Sequence, residues 1–150
     1  KIVKGVDLGE PIFHLQYAPD GRCLAACTRG SVWLFDTQTF QRRLLGQHPT
    51  RVPAGYFGGA AISALAMSHD GRLLATGGFE GRPTVRLWDL RTGRLAHILQ
   101  HPAGHVVNSL AFSPNGSQLI SGVNWDEDGQ GACCLWQLPP QITSHAGLAD

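Results

Sequence analysis

One group of polar residues in the C-terminal third has the residue types that acyl transfer requires. Ser121 could act as a nucleophile, His105 as its general base, and Asp126 or Asp128 as the orienting carboxylate. However, no Gly-x-Ser-x-Gly segment surrounds Ser121, so the sequence predicts no strained turn that would expose its hydroxyl. We therefore expect no catalytic residue here and no enzymatic activity.

Metal and phosphate sites are also not indicated. The four cysteines, which include the adjacent pair Cys133 and Cys134, form no Cys-x-x-Cys motif. Cys23 and Cys27 lie four residues apart on one predicted strand, too far apart to share a zinc ion without a turn. The glycine-rich segment 77–81 lacks the Lys-Ser/Thr of a phosphate loop. We expect reduced thiols, no metal and no cofactor.

Composition narrows the fold class and the range of partners. The 150 residues carry 12 Lys+Arg against 11 Asp+Glu, a formal charge of +1, which predicts weak binding to nucleic acid. Most arginines lie in predicted turns, where a solvated side chain is the usual role. With 19 glycines and 15% charged residues, the chain is unlike a coiled coil or helical bundle. No segment is long and apolar enough to predict a membrane span. An all-β chain is expected.

The elements that would position these residues repeat along the chain. The pairs Asp20-Gly21, Asp70-Gly71 and Asn115-Gly116 are spaced by 50 and 45 residues and predict tight type I′ hairpin turns. A further aligned run follows each pair, at residues 32–36, 85–89 and 133–137. In the second unit we expect strands near 62–68, 73–77, 85–89 and 95–99. The third unit lacks an outer strand, because two prolines follow Leu138 at once.

Several segments resemble blades of the WD-repeat family. They are Gly104-His105, Ser113-Pro114-Asn115-Gly116, Ser121-Gly122 and Leu135-Trp136 in unit three, and Trp88-Asp89 in unit two. The resemblance implies a β-propeller built from four-stranded antiparallel blades, each about 40–45 residues long. Residues 1–150 would then form part of a larger propeller, with blades at approximately 9–46, 59–100 and 104–142. Gly9-Glu10 and Gly59-Ala60 depart from the Gly-His of the family pattern.

The resemblance also gives the polar residues a structural role. It implies a hydrogen-bonded tetrad within blade three, made of His105, Ser121, Trp136 and either Asp126 or Asp128. Unit two has Ala60 where the histidine is expected, and unit one has Ala26 and Phe35 in the positions of the hydroxyl and the tryptophan. We therefore expect the third blade to be the best ordered internally.

The function implied by the family is that of a non-enzymatic protein–protein interaction scaffold within a larger multiprotein assembly. Partners would be other proteins or peptides, together with the remaining blades of the same chain; the alternative is nucleic-acid or chromatin-associated recognition by the propeller face. We expect an intracellular, cytoplasmic protein with no membrane association, and leave nuclear or cytoskeletal association open. Irregular loops rich in aromatic and charged residues are the candidate partner-binding positions: Arg51, Tyr56, Phe57, Arg82, Trp125, Asp126, Glu127 and Asp128.

Overall fold

A computed structural model describes residues 1, 5–49, 62–102, 104–124 and 129–143. In these ranges the chain forms eleven β-strands and a single short helix. The strands are β1 (His14–Tyr17), β2 (Cys23–Cys27), β3 (Ser31–Asp36), β4 (Arg42–Gln47), β5 (Ile62–Met67), β6 (Leu73–Phe79), β7 (Pro83–Asp89), β8 (Arg94–Gln100), β9 (Val107–Phe112), β10 (Gln118–Val123) and β11 (Ala132–Gln137), and the helix is α1 (Pro140–Thr143).

The strands form three antiparallel sheets in which sequence neighbours pair, and this confirms the predicted all-β propeller architecture. We call them blade 1 (β1 to β4), blade 2 (β5 to β8) and blade 3 (β9 to β11). Within the described ranges blade 3 has three strands, as the two prolines after Leu138 predicted. Because proline cannot donate to a strand ladder, the chain turns into α1 at this point.

The hairpins that join the first two strands of each blade follow one design, but they are not type I′ turns. Gly21, Gly71 and Gly116 have φ near +70°, and each N–H donates to the carbonyl three residues earlier. In the described part of the chain, Phe40 is the one non-glycine residue with positive φ. The Asp or Asn before each glycine therefore keeps negative φ, and the prediction of two positive-φ residues per turn was wrong. The loop is longer than a two-residue type I′ turn, and in it only the glycine adopts the left-handed conformation.

Blade 2 is covered on both faces. Val32 and Leu34 of blade 1 pack with Leu74 and Trp88 of blade 2 in one apolar cluster. A second cluster joins blade 2 to blade 3 and contains Ala75, Val85, Leu87, Val107 and Leu119. This explains why β6 and β7 are apolar on both faces instead of alternating.

Among the described residues, no further sheet covers the outward faces of the first and third blades. Leu15 and Tyr17 on β1 are 59% and 64% exposed, and Leu135 on β11 is 64% exposed. A groove of about 480 Å³ lies on the blade 1 face, lined in part by Leu15, Tyr17 and Phe35. Leu15, Tyr17 and Leu135 occupy positions whose counterparts pack at the two blade interfaces. Each end of the stack therefore exposes a sheet face like those through which the blades contact each other.

Candidate functional site

A chain of buried polar side chains joins blade 1 to blade 2. The indole Nε1–H of Trp88 on β7 donates to Thr76 Oγ1 on the neighbouring strand β6 at 2.8 Å. The same hydroxyl lies 2.7 Å from Nε2 of His48, which follows β4 directly. All three residues are less than 5% exposed, so each of these polar atoms depends on the others for a partner.

A carboxylate and a guanidinium complete the chain. Glu80 Oε1 lies 2.8 Å from His48 Nδ1. Arg86 Nε and Nη2 donate to Glu80 Oε1 at 2.6 Å and Oε2 at 3.0 Å, a two-point contact that fixes the carboxylate. Glu80 follows β6 directly and Arg86 lies on β7, so the contact also closes the β6–β7 connection.

The protonation states follow from burial and from these contacts. Burial lowers the pKa of His48, although the Glu80 carboxylate acts in the opposite direction. Burial by itself would raise the pKa of Glu80, but hydrogen bonds from His48 and Arg86 outweigh it and lower that pKa to about 2. A neutral His48 beside an ionised Glu80 must place its proton on Nδ1. Thr76 then donates to His48 Nε2 and accepts from Trp88, so the hydrogen bonds from Trp88 to Glu80 all run in one direction, and Glu80 accepts from both His48 and Arg86.

This network belongs to the joint between two blades and not to one repeat. The backbone N–H of His48 donates to Gly30 O at 2.7 Å, which extends the β3–β4 ladder of blade 1 by one pair. Its ring nevertheless binds Thr76 and Glu80 of blade 2. The histidine therefore ties the outer edge of one blade to the inner strands of the next.

Blade 3 contains part of the same arrangement. Trp136 Nε1 on β11 donates to Ser121 Oγ on β10 at 2.7 Å, and Ser121 is fully buried. The ring of His101 lies 6.0 Å from the Trp136 ring, nearly perpendicular to it, and its Nδ1 is 3.8 Å from Cys134 Sγ. The His101 backbone N–H donates to Pro83 O at 3.0 Å, which is the blade 2 counterpart of the His48 contact in blade 1.

Two expectations about the tetrad are therefore corrected. The histidine packed against Trp136 is His101, whereas His105 is half-buried and makes no hydrogen bond to Ser121 or Trp136 among the described residues. The candidate acids Asp126 and Asp128 lie outside the described residues. Blade 2 does have a histidine, so the expectation based on Ala60 was wrong, and the hydrogen-bonded chain that is complete within the described ranges is in blade 2.

The sequence contains a signal that would have identified both histidines. Gln47-His48-Pro49 and Gln100-His101-Pro102 are the same tripeptide, and each begins at the last residue of an outer strand. The alignment on turn glycines hid it, because Thr76 follows its histidine by 28 residues and Ser121 follows its own by 20. Blade 1 has Ala26 and Phe35 at the hydroxyl and tryptophan positions, both buried and apolar, so these positions provide no hydroxyl or indole N–H.

The structure describes one of the eight predicted partner-binding positions, Arg82. Arg82 lies exposed in the β6–β7 connection, where its carbonyl accepts from Glu80 N and from Thr84 Oγ1, both at 3.0 Å. Its backbone is therefore fixed while its side chain faces solvent. The other seven positions lie outside the described residues: Arg51, Tyr56, Phe57, Trp125, Asp126, Glu127 and Asp128.

The cysteines are unpaired thiols, and burial raises the pKa of Cys27 to about 12, far from the range of a reactive thiolate. Within the described ranges, no group of three His, Cys, Asp or Glu side chains is placed to hold a metal ion. No described helix is long and apolar enough to cross a bilayer.

Comparison with known proteins agrees with this architecture. The human (Homo sapiens) WD repeat-containing protein 90 is 30% identical over 120 residues, which is 80% of this chain and 6% of that protein. The β-propeller domain of Cps50 (Swd1) from Myceliophteria thermophila has a TM-score of 0.66 at 21% identity, covering 89% of this chain and 41% of that one. Hydrazine synthase from Kuenenia stuttgartiensis has a TM-score of 0.59 at 22% identity, covering 81% and 32%. At these identities the two structures share the fold alone.

A family model described as WD domain, G-beta repeat (WD40) matches residues 49–89 and 93–137, more than half of the chain. The second match contains the Ser121 to Trp136 contact, and the first begins one residue after His48 and contains the rest of its network. This chain therefore belongs to the WD40 repeat family.

Proposed function

We propose that this chain is part of a larger WD-repeat propeller that serves as a non-enzymatic scaffold for protein–protein interaction in a multiprotein assembly. WD-repeat propeller domains are generally protein-interaction scaffolds and are typically non-enzymatic. The chain spans 6% of its human relative and 41% of the similar propeller domain, so the assembly itself is a matter for experiment.

The observation that carries the proposal is the location of the hydroxyl groups that could act as nucleophiles. Ser121 and Thr76, the hydroxyls that a hydrolase would need to expose, are both fully buried, and each accepts a tryptophan N–H. A nucleophile must reach its substrate, whereas these oxygens lie between strands. Their chemistry supports a rigid framework that presents surfaces to partners.

The exposed end faces support a larger propeller. A stack of blades gains stability from each neighbour, and apolar faces of this kind favour association when they are uncovered. Leu15 and Tyr17 at one end and Leu135 at the other would be covered by further blades. An isolated chain of residues 1–150 is therefore expected to oligomerise, aggregate or unfold non-cooperatively. A monodisperse monomer with a sharp thermal transition would contradict this part of the proposal.

A photo-crosslinking experiment tests the scaffold role directly. A photoreactive amino acid is placed at Arg82, in the exposed connection, and in a matched variant at His97, which is exposed on the outer strand β8. In native extract we expect discrete protein adducts from position 82, identified by mass spectrometry, and few from position 97. Adducts to nucleic acid would favour the alternative function, and failure of both positions to give any protein adduct would count against the scaffold.

A further inference from the structure

The turn between β7 and β8 is surrounded by arginines that come from three separate parts of the chain. Arg91 lies in this turn and Arg94 begins β8 opposite Asp89. Arg72, from the β5–β6 hairpin, accepts the Leu90 N–H at 2.8 Å through its carbonyl. Arg43 comes from blade 1, and its Nη2 donates to Leu90 O at 3.0 Å.

All four of these residues are exposed. We call Arg43, Arg72, Arg91 and Arg94 the arginine cluster. Arg72 lies in one hairpin turn and Arg91 and Arg94 flank another, and the fold brings these two turns together at Leu90. Arg43 joins them because the outer strand of blade 1 passes the end of blade 2.

The carboxylates nearby do not neutralise this cluster. Asp70 Oδ2 lies 3.8 Å from Arg72 Nε and Asp89 Oδ2 lies 4.0 Å from Arg91 Nη2, which are loose and exposed ion pairs. The other oxygen of each carboxylate is used by the turns. Asp70 Oδ1 accepts from Ser68 Oγ and Arg72 N, and Asp89 Oδ1 accepts from the N–H groups of Arg91 and Thr92. Both carboxylates are thus engaged by their own turns. On the blade 1 side, Asp20 and Asp36 act on Cys23 together with Arg43, and both also accept backbone N–H groups of their own turns.

The cluster is not a feature that every blade repeats. In blade 3 the position of Arg72 is taken by Ser117 and that of Asp89 by Gln137; Gln137 Nε2 donates to the Ser117 carbonyl at 3.1 Å, and Ser117 Oγ donates to Asn115 Oδ1 at 2.8 Å. Blade 1 has Arg22 and Asp36 at these two positions, but Gln38 takes the position of Arg91. The full set of four arginines therefore lies at the boundary between blades 1 and 2. It stands out in a chain whose formal net charge is only +1.

We propose that the arginine cluster binds an acidic peptide segment, rich in Asp and Glu, of a partner protein. Guanidinium groups pair with carboxylates through two parallel hydrogen bonds, and Arg43 is already held in place by Leu90 O. A nucleic acid is the poorer match, because the cluster is short and contains no aromatic side chain on which bases could stack. This inference rests on the proposed scaffold function and identifies the chemistry of one partner.

Fluorescence anisotropy of fluorescein-labelled octaglutamate with the complete propeller tests the assignment. We expect binding at about 50 mM salt that weakens strongly by about 300 mM, since exposed charges are screened. The double variant R91S/R94S should weaken binding about tenfold, and R72S should weaken it by a smaller factor. The matched control R29S replaces an exposed arginine in the β2–β3 connection of blade 1 and should change binding by less than about twofold.

Several outcomes would overturn the proposal. They are absence of octaglutamate binding at low salt, equal losses in R29S and R91S/R94S, and tighter binding of a single-stranded oligonucleotide of matched charge. Thermal melts of each variant establish that the fold is intact. Failure of octaglutamate binding while position 82 still gives protein adducts would defeat this inference alone, whereas binding without any adduct would defeat the scaffold function.

Discussion

Blades 2 and 3 both bond a tryptophan N–H to a hydroxyl on the adjacent strand, but they differ in what lies beyond that hydroxyl. In blade 2 the chain continues from Thr76 through His48 to Glu80 and Arg86, and Trp88 is 4% exposed. In blade 3 the described partner of Ser121 is Trp136, which is half-buried. Blade 2 is covered by both neighbours and blade 3 by one.

The difference shows that the structural unit here is the joint between blades. His48 is bonded into the ladder of blade 1 through its backbone and into blade 2 through its ring. Part of the polar network of blade 2 therefore comes from His48, which follows the last strand of blade 1. Buried polar chains of this kind stabilise when every member is satisfied and destabilise when one is removed.

The largest difference between the blades is expected for their tryptophans. Trp88→Ala removes an aromatic ring from the interface between blades 1 and 2 and leaves Thr76 without its donor, so we expect a loss of about 3–5 kcal/mol in unfolding free energy. Trp136→Ala removes a half-buried ring and should cost clearly less. Urea unfolding of both variants in the complete propeller measures the two losses. Equal losses would show that the two joints are energetically alike.

Histidine substitutions come next in size. His48→Ala removes the acceptor of the Thr76 hydroxyl and one of the donors to Glu80, and a loss of about 2–3 kcal/mol is expected. His105→Ala, the substitution that the sequence alone would have selected, should stay within about 0.5 kcal/mol because His105 contacts neither Ser121 nor Trp136. Thermal unfolding of the two variants side by side measures this. A larger loss for His105→Ala would restore the sequence-based assignment.

The sequence predicted the fold well because the fold depends on local patterns. Asp-Gly and Asn-Gly pairs, apolar runs and the prolines after Leu138 each act over a few residues, so strands expected at 62–68, 73–77, 85–89 and 95–99 appear at Ile62–Met67, Leu73–Phe79, Pro83–Asp89 and Arg94–Gln100. The turn type could not be predicted in the same way, because an Asp-Gly or Asn-Gly pair fits more than one kind of hairpin loop.

The site was harder to predict because its members lie at variable separation. Ser121 and Trp136 share one hairpin, and the resemblance to the WD-repeat family identified them as neighbours. His48 and His101 belong to the preceding blade in the chain, so an alignment centred on each turn assigned the histidine to the wrong side of a loop. Arg86 gave no signal at all, because a charged residue inside a strand becomes informative only when its carboxylate partner is known.

The polar network of blade 2 should lose stability in acid, and Glu80→Gln tests how much of this loss comes from Glu80. The pKa of Glu80 falls from its ordinary 4.5 to about 2 in the fold, so its contribution is present above pH 4.5 and is lost as pH falls towards 2. The pKa of His48 is also lowered, so the unfolded chain binds its proton more readily, and stability falls as pH drops below about 6.5. Glu80→Gln should reduce the slope below pH 4.5, and the remaining slope comes from carboxylates such as Asp36, Asp70 and Asp89, whose pKa values are also lowered. An unchanged slope in denaturant titrations across pH would contradict the assigned ionisation.

A smaller loss is expected from Gly46→Ala. A methyl group on Gly46 of β4 would overlap the six-membered ring of Trp88, so a loss of about 1–2 kcal/mol is expected from overpacking. Gly5→Ala is the matched control, because open space surrounds that position. A double-mutant cycle of Gly46→Ala with Trp88→Leu should show coupling, since the smaller side chain relieves the overlap. Additive losses would mean that Gly46 and Trp88 are not in contact at the interface between blades 1 and 2.

The smallest effect should come from the hydroxyl of blade 3. Ser121→Ala leaves Trp136 Nε1–H without its acceptor, but the half-buried indole is close to solvent, so water can replace part of the lost hydrogen bond and a loss of about 1 kcal/mol or less is expected. Thr76→Val keeps the shape of its side chain but strands both the Trp88 N–H and His48 Nε2 in a dry interior, where replacement by water is not available. Its loss should be at least twice as large. Urea unfolding of both variants, with tryptophan fluorescence as the probe, gives the comparison. If Ser121→Ala were as damaging as Thr76→Val, blade 3 would have to contain a polar network as extensive as that of blade 2.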